Sequence, residues 1–437
     1  PALLLLATGG LFAIYSYWNS GNIYPNLVTA TFLDTVAVPF SQMNFGDLSI
    51  PIELDNYLIF QEFKAIEPGN TSTQSLLFGV AFFFIAVTAM TYFSYFQKLP
   101  FLGVGLSWII LLTFSNVNGL NIGVPSSNIP LIILISGTLI PGIFFHVWKP
   151  LTRFGIRWFT VFLAFLITCW VLLTLSPIER PGFFLGEQMM VPAMGFALAW
   201  LFWQGHAVVS GIYVLLAKVN QNLSTKISIQ IFILALVYFL ILIGLLLNLK
   251  GEVNLPFLIF SPLYLVLPIG IMGWFSTEQK LLQEPNLAAN PSKLKGLFFL
   301  GLGTVLWFLG KIEITANQPA EELVKHLLVY SQIAFSLFFI IYLMSNFLSV
   351  MNTGKAVHRI LYKPYSLPYY HLRIGGVIGI LVITIYMEAI IAAQFNSFTT
   401  NNLANYYYET GKKLEASILY ENSWDQYRYN PKAKFLT

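Results

Sequence analysis

Glu388 is the acidic residue that falls inside a long apolar run, in Tyr386-Met387-Glu388-Ala389. A carboxylate in hydrocarbon is costly enough to mark a functional site unless water or a polar partner reaches it. It lies in the outward half of its run, where a vestibule or a Ser/Tyr partner is the plain alternative. A second group of candidates is the polar connection Ser176-Pro177-Ile178-Glu179-Arg180-Pro181-Gly182, followed by Glu187 and Gln188. The apolar run after it carries Trp200, Trp203, Gln204 and His206, with His206 near its middle. A carboxylate and an arginine above a Gln/His-bearing helix could hold a lipid-linked pyrophosphate or a sugar. An ion pair and an interhelical hydrogen bond explain the same residues more simply, and that reading is preferred.

Other chemistries find no support. His146 and His206 fall at different depths, which disfavours a bis-histidine haem, and His326, His358 and His371 lie at or beyond the ends of apolar runs. No Cys/His cluster suits zinc, no G-x-x-x-x-G-K-[ST] suits a nucleotide, and no G-x-S-x-G suits a serine hydrolase. No metal and no cofactor are expected. Cys169 is the single cysteine, so no intrachain disulfide forms.

The elements that must position these residues are helices in a bilayer. The 437-residue chain is 57% hydrophobic and 10% charged, where a soluble domain carries about 25% charged residues. Apolar runs of about 20 residues are read at 2–17, 75–96, 99–116, 130–148, 157–176, 189–217, 226–249, 255–275, 294–310, 323–350 and 374–395. The expected fold is all-α: a polytopic transmembrane bundle of about 11 spans over 1–395, with a tail at 396–437.

Lysine and arginine retention on the cytoplasmic side orients the bundle. With the N-terminus inside, the inner loops carry Lys98, Lys149, Arg153, Arg157, Lys218, Lys226, Lys280, Lys293, Lys295, Lys355, Arg359, Lys363 and Arg373. The outer loops carry only Lys64, Arg180, Lys250, Lys311 and Lys325. The net charge of +4 is therefore a topology signal, and no nucleic acid is implied. The basic segment 355–373 could touch anionic lipid headgroups. The expected location is the bacterial inner membrane, N-terminus cytoplasmic and tail on the periplasmic side.

Residues 18–74 form a long outer loop, expected to lie along the membrane face as short amphipathic pieces or as a plug. The tail reads Asn401-Asn402-Leu403-Ala404-Asn405-Tyr406-Tyr407-Tyr408-Glu409-Thr410-Gly411-Lys412-Lys413-Leu414-Glu415-Ala416 and closes at Tyr427-Arg428-Tyr429-Asn430-Pro431. This resembles a tetratricopeptide repeat. The resemblance implies that Ala404 and Tyr407 pack on the first helix and that Gly411 makes the turn. Ala416, Tyr420 and Ser423 would line the second helix, and Pro431 would close the unit. Pro431 comes late for the family, implying a longer second helix. A single repeat cannot bury its own face, so it must dock on the outer loops, on a partner or on further repeats beyond Thr437. Such repeats bind proteins, which makes Tyr407, Gly411, Ala416 and Tyr420 the partner-binding candidates.

Three functions follow. The first, preferred, is an accessory or scaffold subunit of a cell-envelope complex serving export, assembly or motility, whose outer module recruits proteins; its partners are membrane lipids and envelope proteins. The second rests on layout. A cytoplasmic N-terminus, about 11 spans, a long first outer loop and outer repeats are similar to the GT-C glycosyltransferase superfamily. That resemblance implies Asp34 or Asp47 as base or metal-binding residue, with Glu179 and Arg180 near the phosphate. The third is a transporter, which calls for paired intramembrane charges and internal repeats.

Overall fold

An apolar segment in a bilayer has no water for its peptide groups, so it closes its hydrogen bonds within itself and becomes a helix. The computed structural model follows that rule along most of the chain and describes residues 1–19, 27–65, 71–123, 127–219, 228–252, 261–283, 291–347 and 367–436. Helix α1 (Ala2–Asn19) precedes a hairpin of β1 (Leu27–Phe45) and β2 (Leu48–Ala65). Then come α2 (Ser72–Phe93), α3 (Lys98–Thr113), α4 (Ile129–Val147), α5 (Phe154–Leu175), α6 (Pro181–Gln188), α7 (Met190–Val219) and α8 (Ser228–Leu249). They are followed by α9 (Val266–Gln283), α10 (Pro291–Thr315), α11 (Gln318–Phe347), α12 (Tyr369–Tyr386), α13 (Glu388–Glu409), α14 (Lys413–Gln426) and α15 (Pro431–Leu436).

Among the described residues, eight helices are long and apolar enough to cross a membrane: α1, α2, α4, α5, the joined α6–α7, α8, α10 and α11. Helices α2, α10, α11 and α6–α7 form the buried centre, while α4, α5 and α8 turn most of their length outward. Ile132, Ile140, Ile167, Trp170 and Leu240 are exposed there, an apolar surface that hydrocarbon rather than water would cover. The chain is thus mainly helical, with the build of a polytopic membrane protein.

Three of the expected spans differ. The run 99–116 becomes α3, only 16 residues long. Of the run 255–275, residues 255–260 lie outside the described part, and its remainder enters α9 through a short 3-10 turn at Pro262–Leu265. The run 374–395 breaks at Met387, where α12 and α13 meet at 80°. Glu388 stands directly after that break. It is exposed in the first turn of α13, where a carboxylate is favoured by the unpaired N–H groups of the helix start. The basic segment proposed to touch lipid lies mostly outside the described residues.

The outer loop also differs from the amphipathic pieces expected. Over most of its described length it is one antiparallel hairpin, closed by the two-residue turn Gly46–Asp47. Its side chains alternate with a period of two, which a helix cannot use. On β2 most apolar residues fall at even positions, Leu48, Ile50, Ile52, Leu54, Leu58 and Phe60, with Tyr57 and Ile59 at odd ones. On β1 most fall at even positions as far as Val38, with Leu33 the exception, and at odd ones from Met43. A register shift between Pro39 and Ser41 compensates for that change of phase. The extra residue, Phe40, keeps most apolar side chains of the two strands on one face, while Leu33, Tyr57 and Ile59 lie on the other. Residues 31–60 are exposed on both faces.

Packing at the centre is close. Phe12 of α1 stacks on Trp307 of α10 with ring centroids 4.5 Å apart, and Trp307 Nε1 donates to the Leu5 carbonyl at 3.2 Å. At one end of the bundle, fully buried Arg157 donates to the carbonyls of Ser94, Lys149 and Pro150 at 2.9–3.0 Å, holding two connections against the start of α5. At the opposite end, α2 and α6 approach at backbone contact. A Cβ on Gly186 would lie 2.9 Å from the Ser75 carbonyl oxygen.

Gly186→Ala is expected to lower the melting temperature of the detergent-purified protein, at a cost of about 1–3 kcal/mol for overpacking. Gly105→Ala on α3, where nothing lies within 4 Å, should leave it unchanged.

Candidate functional site

The Gly186 contact brings Ser75 of α2 beside Glu187 of α6, and the last turns of α10 add Lys311. Lys311 Nζ donates to Glu187 Oε1 at 2.5 Å and to Ser75 Oγ, and both charged side chains are fully buried. Ser75 Oγ in turn donates to the Thr71 carbonyl at 2.9 Å. The second Glu187 oxygen and the Gln188 amide nitrogen are buried without a protein partner. A charge pair at this depth is stable only because each charge has the other.

Above the pair sits the tail. α13 presents Asn401, Asn402 and Asn405, one polar stripe at helical spacing, to the junction of α10 and α11. There Asn317 donates to Asn402 Oδ1 at 2.9 Å. Ser423 of α14 and Asn430 both donate to Asn401 Oδ1, at 2.8 and 3.2 Å. Lys432 of α15 reaches back to the end of α10. Its ammonium donates to the Thr315 carbonyl and to Asn405 Oδ1, each at 2.7 Å, and Tyr420 donates to the same Asn405 oxygen at 2.7 Å. Lys432 thus caps the negative end of α10, where a cation is favoured.

A second seam fastens the other end of α13. The Thr71 N–H donates to Glu409 Oε1 at 2.9 Å, and Arg180 Nη1 donates to the Glu409 carbonyl at 3.3 Å. Tyr406 donates to the Glu179 carbonyl at 2.6 Å, with Phe184 edge-on to its ring. Glu179 and Arg180 are brought together here, but as contacts of the tail. Arg180 adopts a left-handed backbone, φ 48°, as the residue before α6.

The remaining candidates are dispersed. Asp34 lies on β1, its Oδ1 accepting from the Thr35 N–H at 2.9 Å, and Asp47 lies in the hairpin turn. His206 is buried on α7, edge-on to Phe335 and within reach of the Arg373 charge, with Ser210 donating to its carbonyl. Gln204 is buried two residues earlier, against the backbone of Gly273. In the tail, Gly411 makes the turn at φ 81°. Ala416 and Tyr420 are buried with Ala404 and Ala433, and Tyr407 packs against them. Ala416 and Tyr420 thus pack within the tail, and Tyr407 also packs against the bundle core.

Sequence reasoning missed the partnership of Glu187 with Lys311, and Lys432 altogether. Lys311 reads as a loop residue when the run is ended at residue 310, yet α10 continues to Thr315. The signal for the tail contact was the spacing of Asn401, Asn402 and Asn405. Among the described residues no three His, Cys, Asp or Glu side chains converge as metal ligands would. Comparison with protein-family models, with curated proteins and with solved structures finds no match.

Burial pulls the Lys432 amine down to about 8; Lys311 pushes the same way, and Glu187 and Glu409 oppose it. An amine near neutrality is a base in principle, but this one is held to two oxygens of its own chain. Tyr420 and Tyr427 are both pushed up by burial, so neither deprotonates in that range. The released lysine titrates near its ordinary value, so between about pH 8 and 10 the undocked tail holds the extra proton. Docking therefore strengthens as pH rises through that window and is flat below it. Spin-label distances between α14 and α5 should report a larger docked fraction near pH 10 than near pH 7, and Lys432→Met should remove the dependence.

Lys311→Met should cost about 3–5 kcal/mol of stability, because it strands a buried carboxylate. The double variant Lys311→Met/Glu187→Gln should recover most of that loss in thermal unfolding. A double variant as unstable as the single one would show that the pair's charge balance is not what holds this contact.

Proposed function

We propose that this chain is a membrane-embedded scaffold subunit of a bacterial cell-envelope complex serving protein export, assembly or motility. In this reading the N-terminus is cytoplasmic and about 11 spans cross the inner membrane. The tail stands on the periplasmic side as a tetratricopeptide-like module that recruits partner proteins. The observation that carries it is the two-sided character of the tail. One side is fastened to the bundle through Asn317, Thr315 and Thr71. The other leaves Leu414 and Ile418 exposed, one turn apart on α14. A rigid mount with an open apolar helix face suits a recruiting platform, and Glu179, Arg180 and Glu409 at the mouth are contacts between the tail and the bundle. The retention of Lys and Arg in alternate loops supports the orientation.

The glycosyltransferase reading ranks lower, because Asp34 and Asp47 belong to the hairpin while Glu179 and Arg180 hold the tail. One observation favours the transporter as a second reading, namely the buried pair of Glu187 and Lys311. Uptake driven by a proton gradient and abolished by Glu187→Gln would carry that reading instead.

The test is purification of the native protein in mild detergent with mass spectrometry of its companions. Envelope proteins should co-purify in fixed ratio and be lost from Leu414→Glu/Ile418→Glu, while Asp34→Ala and Asp47→Ala retain them. Purification alone, or companions indifferent to the α14 substitutions, would overturn the scaffold reading.

A further inference from the structure

We propose that the apolar face of the β1–β2 hairpin is a self-association surface, covered by the same face of a second copy of this chain. The face exists by construction. The bulge at Phe40 restores the phase of β1, so Val36, Val38, Met43 and Phe45 share one side with the even-numbered apolar residues of β2. A two-stranded sheet is marginal in water and requires a further layer against its apolar side. Here that side is open, with Phe45 64%, Leu48 63% and Leu54 55% exposed. Its side chains together offer on the order of 1,000 Å² of apolar surface, against the ~800 Å² per partner of a standard stable interface.

Two arguments select a second copy over the outer leaflet. The first is symmetry: an isologous contact needs a patch that matches itself. Paired residues Val38 and Leu54 stand at the centre of the face. The pairs carrying its uncharged polar groups, Val36 with Asn56 and Ser41 with Ile52, flank that centre on opposite sides. Phe60 stands at one end and Phe45 at the other. Turned end for end, the face meets a like surface. The second is charge. Glu53 and Asp55 occupy the opposite face and Asp47 the turn, so the hairpin is acidic and an anionic lipid surface repels it. Asp34 is the acidic residue of the apolar face between Phe32 and Phe45, with Glu62 one pair beyond Phe60 in the same register; a sheet two strands wide leaves Asp34 at the rim, where water reaches it.

The full chain is placed in nanodiscs of phosphatidylethanolamine and phosphatidylglycerol, with benzoyl-phenylalanine at position 54 or at position 55. These neighbours point to opposite faces. Illumination is expected to give a covalent dimer from position 54, with its cross-linked peptide mapping to the hairpin of the second chain, and none from position 55. Mass photometry should find two chains per particle, reduced to one by Ile52→Asp/Leu54→Asp with helical content and melting temperature unchanged. Cross-links from position 54 to lipid would assign the face to the leaflet and overturn the proposal. Equal cross-linking from both positions, or single chains throughout, would overturn it as well.

Discussion

Lys311 is the residue around which the outer half of the bundle is arranged. Its ammonium is fully buried among apolar helices, where an unpaired charge costs several kcal/mol. Compensation has to come from a neighbouring helix, and the carboxylate that supplies it is on α6, a helix of only eight residues. For Glu187 to reach, α6 must lie against α2 at backbone distance. That demand explains a glycine at 186 and another opposite it at Gly79, whose Cβ would lie 3.0 Å from the Gly186 Cα. One electrostatic requirement thus dictates helix spacing, residue size and the position of Ser75, which takes up a second ammonium proton.

The same logic extends outward. α10 ends at Thr315 with carbonyls that no further turn can satisfy, and the chain answers with Lys432 from well over a hundred residues later. Asn317, directly after that end, is met by the asparagines of α13. The docking of the tail is therefore polar and directional where it meets the end of α10, beside the apolar contacts of Phe398 and Tyr406 with the bundle core. An apolar contact would tolerate sliding; a stripe of amides paired with one helix end does not, because a shift of one residue leaves buried groups unpaired. This gives the tail a single orientation on the bundle.

How much of this was legible in the sequence follows from the length scale of each signal. Spans such as 75–96 and 157–176 match α2 and α5 closely, because twenty apolar residues in a row have few alternatives. The α13–α14 hairpin was also legible, since Gly411 between two helical patterns marks a turn. The bend of 80° at Met387 was not legible, because hydropathy averages over the break. The pairing of the hairpin was not read although Leu48 to Leu54 alternate, because Tyr57 to Phe60 run apolar without a break and β1 changes phase at Phe40. Lys311 and Glu187 were each visible as charges near a mouth. Their pairing was not, since 124 residues separate them and only the packing of α2, α6 and α10 brings them together.

The bundle and the hairpin answer one constraint in opposite ways. A buried charge in the bundle finds its complement within the chain, so the helices close upon themselves and the outer mouth is filled by the tail. The hairpin carries most of its apolar residues on one face and Glu53 and Asp55 on the other, and among the described residues no element covers residues 31–60. A surface with internal phase correction is not the product of neglect. A bulge that restores alternation is useful only if the face it preserves is buried against something, because a solvated strand gains nothing from having its apolar residues aligned. The division of labour in the molecule is therefore between a mouth whose polar contacts fix geometry and an apolar hairpin face left open among the described residues.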